Sequence, residues 1–475
     1  MEIKDFWPQK LCVGLLVIVS IVSCTRYIYP ETQDRLEEGL QGQSNRQSNA
    51  GVTFPIAYSK GINLIGHNPI LGRDSNIQMA WAGDCAYVSS SSPNFIGWGE
   101  TAEPHTFGVA VIDVGDPSAP ELVELLRDKG AMYSSEAMDA IDTGSRKVLA
   151  TGVYQGGVNP PMDKGWLSIY DVANCKEPKL TAEYRWPVEI HALAISPNGQ
   201  RIYATEIHPF KASGGLHVLD ISDLTAPRYL GRFNVTREDG SEFDFAVHDI
   251  SFSDDESRIY AGVLGSHGGD LNHGVEPFPP SAAYLGPEGG GFYMLDNSDM
   301  VTGKKDPKIR LIGTAVHGGW HSPVPATISG KPYIVSGGEL GACPGAWPRI
   351  TDVSDEAAPR LVGEFKLEMN KSENCPPMTE QEQLSGGIVA GPGTATLHYN
   401  DVDNAQNTEL GLFNFMWAGL RIADLRLPSQ PKEIAYFKPG DACGGQVRFR
   451  KETGHIWLSC GQSGFYVLQL KDKLP

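Results

Sequence analysis

Four histidines stand at matching places in a recurring stretch of the chain: His191 in HALAIS, His248 in HDISFS, His321 in HSPVPA and His398 in HYNDVD. Each opens a short strand-like segment. Neutral imidazoles brought together would hold a transition metal such as iron, copper, zinc or nickel. A histidine at a strand start also serves to satisfy backbone carbonyls or ordered water, so what matters is whether the four converge. Further groups of the same chemical kind lie nearby in sequence. Glu206 and His208 follow one hairpin, His267 and His273 sit in the Gly- and Pro-rich stretch Gly265 to Gly290, and His317 precedes His321. The acidic stretch Asp401 to Glu409 lacks the glycine and ligand spacing of an EF-hand loop. No GxSxG, HExxH or Walker sequence is present.

The elements that position these residues are legible as a repeat. VAVIDVGDPSAPELVELL, LSIYDVANCKEPKLTAEY, LHVLDISDLTAPRYLGRF, FYMLDNSDMVTGKKDPKIRLIG, PRITDVSDEAAPRLVGEF and LRIADLRLPSQPKEIAYF share a strand, a turn and a strand. Their aspartates are Asp113, Asp171, Asp220, Asp296, Asp352 and Asp424. In five of the six a proline follows seven residues later, while Asp296 reaches Pro307 after eleven. Each aspartate ends an apolar run, which predicts a turn in which its carboxylate accepts backbone N–H groups and proline fixes φ before the next strand. A truncated copy, GFYVLQLKD, carries Gln469 in the aspartate position and lacks its last strand, whereas INLIGH at Ile62 to His67 is a matching strand without a repeat before it. Between units lies a hairpin of alternating apolar residues, giving four strands per unit. Spacings of 49 to 76 residues between successive aspartates, with 45 more to Gln469, predict an all-β, seven-bladed propeller closed by the N-terminal strand pairing with the last blade.

The VIDVGDP, VLDISDL and ITDVSDE strings resemble the LVIVD-repeat β-propellers, a family of secreted bacterial and archaeal proteins, over a range from about Ile62 to the end of the chain. The resemblance implies architecture and carries no reaction with it. In a propeller the innermost strands line the axis, so four histidines that open neighbouring inner strands would face one another at one mouth of the channel. In the other three blades Ile77, Met138 and Gly445 fall near the same position. The arrangement is similar to that of carotenoid oxygenases, in which four histidines from propeller blades hold iron on the axis, and more distantly to the selenium-binding or methanethiol oxidase propellers. Neither family's sequence motifs are present. The long connections, Gly265 to Gly290 and Met369 to Thr396, follow second or fourth strands and so belong to the face where the inner strands begin.

The N-terminus reads as an address. Leu11 to Ser23 is an uncharged apolar run of 13 residues behind Lys4 and Lys10, and it ends in Ile21, Val22, Ser23, Cys24. This resembles the lipobox of bacterial lipoproteins and implies a signal peptide over 1–23, lipidation of Cys24 and a cell-envelope location. Thr25 after the cysteine resembles outer-membrane sorting. Residues 24–54 are polar, as in a flexible tether, and the propeller is assigned to 55–475. Six cysteines remain beyond Cys24. In an oxidising compartment Cys443 and Cys460, opposite each other in a predicted hairpin, and Cys343 with Cys375 are expected to form disulfides. Acidic residues exceed basic ones by 18 among 475 residues, a field that repels nucleic acid. The sequence therefore leads to a lipid-anchored envelope propeller that binds a protein, glycan or small molecule through its loop-rich face, with a metal-dependent, oxidoreductase-like enzyme as the alternative and a purely structural spacer as a third reading.

Overall fold

The computed structural model describes residues 57–91, 103–154, 165–187, 190–205, 215–243, 245–265, 290–339, 344–375, 395–440 and 442–471. The predicted signal peptide, Cys24, the tether, Glu206, His208, His267, His273 and Cys343 lie outside them. The described strands form seven sheets, each built round an antiparallel four-stranded blade. The inner strands, in chain order, are Asn76–Ala82, Met138–Asp142, Leu193–Ile195, Ala246–Phe252, His321–Ile328, Leu397–Val402 and Gly444–Arg450. They pack in that order round the axis, the seventh against the first. The chain is an all-β, seven-bladed propeller.

Each blade buries both faces, which explains why its middle strands read as nearly continuous apolar runs. In the second blade Leu149 and Tyr170 pack toward the first blade, with Tyr87, Val109 and Val111. Their neighbours Val148, Ala150, Leu167 and Ile169 point the other way, toward Ile195, Ile202 and Ala204 of the third. This is the two-residue period of a strand placed between two cores.

All six repeat aspartates form the same turn. Oδ1 of Asp113, Asp171, Asp220, Asp296 and Asp352 accepts the backbone N–H two residues on at 2.9 Å, and Asp424 does so at 3.0 Å. The longer spacing after Asp296 accommodates a helical turn, Ser298–Val301. The recurring glycine of the outer strand has a separate cause. A Cβ on Gly66, Gly313 or Gly363 would come within 2.2, 2.1 or 1.9 Å of the carbonyl oxygen of Pro117, Glu356 or Pro428, each in the aspartate turn of the following blade. The outer strand is kept bare so that the next turn can dock on it.

Ile62–Asn68 runs antiparallel to Gly464–Leu470 as the outer strand of the seventh sheet, from Ile62 opposite Leu470 to Asn68 opposite Phe465. The blades also carry more than four strands in two places. Tyr58–Lys60 adds to the sixth sheet beside Lys432–Lys438. Val235–Thr236 pairs in parallel with Ile309–Ala315, and Glu242–Phe243 lies beyond it. Disulfides join Cys443 to Cys460 within the seventh blade and Cys85 to Cys175 between the first and second. The second link was not read from the sequence. Cys375 is also disulfide-bonded.

Two outcomes test this account of the seams. Gly363→Ala places a methyl against the Pro428 carbonyl and is expected to cost about 1–3 kcal/mol in denaturant unfolding, the usual range for overpacking; an unchanged midpoint contradicts the docking role. Deleting residues 1–68 removes the outer strand of the seventh blade and should lower the thermal midpoint by several degrees, a loss of about 2–4 kcal/mol, whereas deleting 1–50 should leave it unchanged. Equal midpoints for the two truncations contradict it.

Candidate metal centre

His191, His248, His321 and His398 come from four consecutive blades and form a continuous arc, with ring centroids 4.2, 4.5 and 4.8 Å apart in that order. All four are buried, none more than 3% exposed. Their Nε2 atoms turn inward toward two carboxylates that are themselves buried, Glu136 and Glu339. His191 Nε2 lies 2.9 Å from His248 Nε2 and 3.5 Å from Glu136 Oε2. His248 Nε2 is 3.1 Å from Glu339 Oε2 and 4.0 Å from Glu136 Oε2. His321 Nε2 is 3.6 Å from Glu136 Oε2. His398 Nε2 is 3.3 Å from Glu136 Oε1 and 3.5 Å from Glu339 Oε1.

The outer ring nitrogens set which form two of these imidazoles take. His398 Nδ1 donates to the Gly444 carbonyl oxygen, which can only accept. His321 Nδ1 bonds Ser322 Oγ at 2.9 Å, and the serine gives its own hydrogen to Asp249 Oδ2 at 3.2 Å. With the proton on Nδ1, a neutral imidazole carries a lone pair on Nε2. Those lone pairs then face carboxylate oxygens, acceptor against acceptor in a buried space, which is unfavourable unless a proton or a metal cation lies between them. The pull on the titrating groups has the same origin. Burial drives the Glu136 pKa upward, but hydrogen bonds from His191, His321 and His398 outweigh it and hold the carboxyl well below its usual range. Burial and the charge of Glu136 raise Glu339, and His248 and His398 reverse that. Burial lowers His398, yet Glu136 and Glu339 bring it above the ordinary imidazole value. His248 is pushed down to about 3 by burial and by repulsion from His191 and His321.

The backbone is strained at two points beside these side chains. Ser135, next to Glu136, has φ +46°, and Ser322, next to His321, has φ +46°. A non-glycine residue in the left-handed region costs on the order of 1 kcal/mol or more, and such residues cluster where a site demands a particular side-chain direction. Aromatic rings enclose the arc: Tyr154 stands edge-on to His191 at 4.7 Å, Trp320 to His248 at 4.8 Å and Tyr399 to His321 at 4.9 Å. The Tyr399 hydroxyl is buried and has no hydrogen-bond partner among the described residues.

His317 takes no part in the arc; its Nε2 bonds Thr351 Oγ1 at 3.1 Å. Neither carboxylate was read as a site residue from sequence. Met138, aligned above with the histidines, is a core residue with no exposure, because the register is two residues off. The ungapped match is EAMDAIDTGSR against HALAISPNGQR, which sets Glu136 opposite His191. Ile77 is likewise fully buried in the core, and Gly445 packs with its Cα side against the Ser459 and Ile77 carbonyls. Glu339 follows the second strand of the fifth blade, Lys331–Gly337, outside the repeat positions, and no periodic signal marks it.

Comparison with known proteins supports the architecture. Residues 211–235 match the LVIVD repeat model. No curated protein matches the chain. Among solved structures, Kuenenia stuttgartiensis hydrazine synthase superposes with a TM-score of 0.52 at 10% identity, covering 84% of this chain and 97% of that one. A protein from Lactobacillus plantarum gives 0.48 at 12% identity, covering 74% and 83% respectively. At 10% identity the likeness to the hydrazine synthase is one of fold.

The strain beside Glu136 is testable. Ser135→Gly should leave the metal-free protein as stable or more stable, by up to about 1 kcal/mol, while Ser135→Val should destabilise it by more than about 1 kcal/mol in urea unfolding. The reverse order contradicts a left-handed backbone at this position.

Proposed function

We propose that this propeller is a metal-dependent protein whose axial cluster holds a transition ion and acts on a small molecule reaching it from the loop-bearing face. The observation that carries this reading is the pairing of His321 and His398 with the buried Glu136 and Glu339 carboxylates: Nδ1 already carries the proton of the neutral ring, so each Nε2–carboxylate contact needs a further proton or a cation between its atoms. A proton relieves one such contact at a time, whereas one cation relieves several. The spacing fits. With metal–nitrogen bonds of about 2.0–2.1 Å, donors at right angles lie about 2.9 Å apart and donors at tetrahedral angles about 3.4 Å apart. The contacts of 2.9, 3.1 and 3.3 Å fall in that interval, and those of 3.5 and 3.6 Å lie just beyond it. Imidazole with carboxylate suits iron, copper, zinc and nickel, and a redox ion would make the centre oxidoreductase-like. The orphan Tyr399 hydroxyl is a donor within the same buried surroundings for whatever binds there.

A second reading, a binding module, draws on the connections. In the first five blades the second strand ends and the third begins at the face where the inner strands begin, and the outer strand of the fifth blade ends there as well. In this reading the propeller is tethered to an envelope membrane through a lipid on Cys24 and presents that face to a protein or glycan.

Two measurements bear on these readings. Protein purified without a metal-binding tag should contain at least one equivalent of a transition metal, and His398→Ala should lower that content by tenfold or more, since it removes a ligand and disorients the rest. A metal-free protein that takes up no iron, copper, zinc or nickel on titration overturns the metal reading. Cys24→Ser should release the protein from membranes; full retention overturns the tether.

A further inference from the structure

We propose that the axial centre is dinuclear, with Glu136 and Glu339 bridging two metal ions; this rests on reading the cluster as a metal centre. The ligand atoms divide into two mutually close sets, Glu136 with His191 and His248, and Glu136 with His321, Glu339 and His398, each contained within 4.8 Å. A single octahedral ion with bonds of about 2.1 Å would draw all six donors within about 4.2 Å of one another, in one set rather than two. Glu136 belongs to both.

The carboxylate oxygens are divided in the same way. Glu339 places Oε2 3.1 Å from His248 Nε2 and Oε1 3.5 Å from His398 Nε2. Glu136 places Oε2 3.5 Å from His191 Nε2 and 3.6 Å from His321 Nε2, and Oε1 3.3 Å from His398 Nε2. Glu339 thus offers one oxygen to the fourth-blade histidine and the other to the sixth-blade histidine, while Glu136 Oε2 lies between the third- and fifth-blade histidines and its Oε1 faces the sixth. That is how a carboxylate spans two ions about 3.5–4 Å apart. His191 and His248, 2.9 Å apart at Nε2, serve as adjacent ligands of one ion, and His321 and His398 serve the other. Two dications against two carboxylates leave a positive excess in a buried space, so the exogenous ligand of this centre is an anion or a strongly oxygen-donating molecule that lies between the ions.

Titration of the purified, chelator-treated full-length protein with Cu(II), followed by native mass spectrometry and electron paramagnetic resonance, separates the cases. The expected result is two tightly held equivalents per chain, with the resonance intensity of the fully loaded protein well below that of two isolated Cu(II) ions because the carboxylate bridges couple them. Glu339→Gln should remove most of that coupling while leaving the histidines in place. One equivalent with the full intensity of an isolated ion overturns the dinuclear assignment and leaves a mononuclear centre standing. Binding of no equivalent overturns both readings.

Discussion

Buried imidazole nitrogens set against buried carboxylates, contacts that need a proton or a cation between their atoms, constrain the axis of this propeller more than any other contact. Without that proton or cation such an arrangement is costly in a low-dielectric interior, because each group has left water for a neighbour that also accepts. Its persistence over four consecutive blades requires inner strands held rigidly enough to keep four Nε2 atoms pointing inward. The fold meets that requirement with sheets that bury both faces, with aspartate turns that dock on bare outer-strand glycines, and with an outer strand, Ile62–Asn68, supplied to the seventh sheet from the other end of the chain.

Strain and aromatic packing act on the same few side chains. The left-handed backbones of Ser135 and Ser322 aim the adjoining Glu136 and His321, and the Ser322 hydroxyl links His321 to Asp249. Tyr154, Trp320 and Tyr399 stand against the imidazoles and exclude water from around them. Low dielectric strengthens every electrostatic contact inside this shell, the unfavourable ones included. That is why a cation placed there would lower the energy of the whole cluster rather than of one pair.

The architecture was largely legible in the sequence, because the aspartate turn and its proline recur at fixed spacing and a turn of that kind has one local geometry. The four histidines were legible for the same reason, being copies at one strand position. Glu136 occupies that position too, but a change of residue type and a two-residue slip in register hid it behind Met138. Glu339 comes from a connection after a second strand, and the Cys85–Cys175 link depends on how two blades pack; neither has a periodic counterpart, so only the assembled fold brings them into place.

X-ray absorption at the metal edge of the protein as isolated is the most direct test of the account. It should show a transition metal bound only by nitrogen and oxygen at about 2.0–2.1 Å, with the outer-shell scattering of several imidazoles. An absence of metal, or a first shell containing sulfur, would contradict an axial centre built from His191, His248, His321, His398, Glu136 and Glu339.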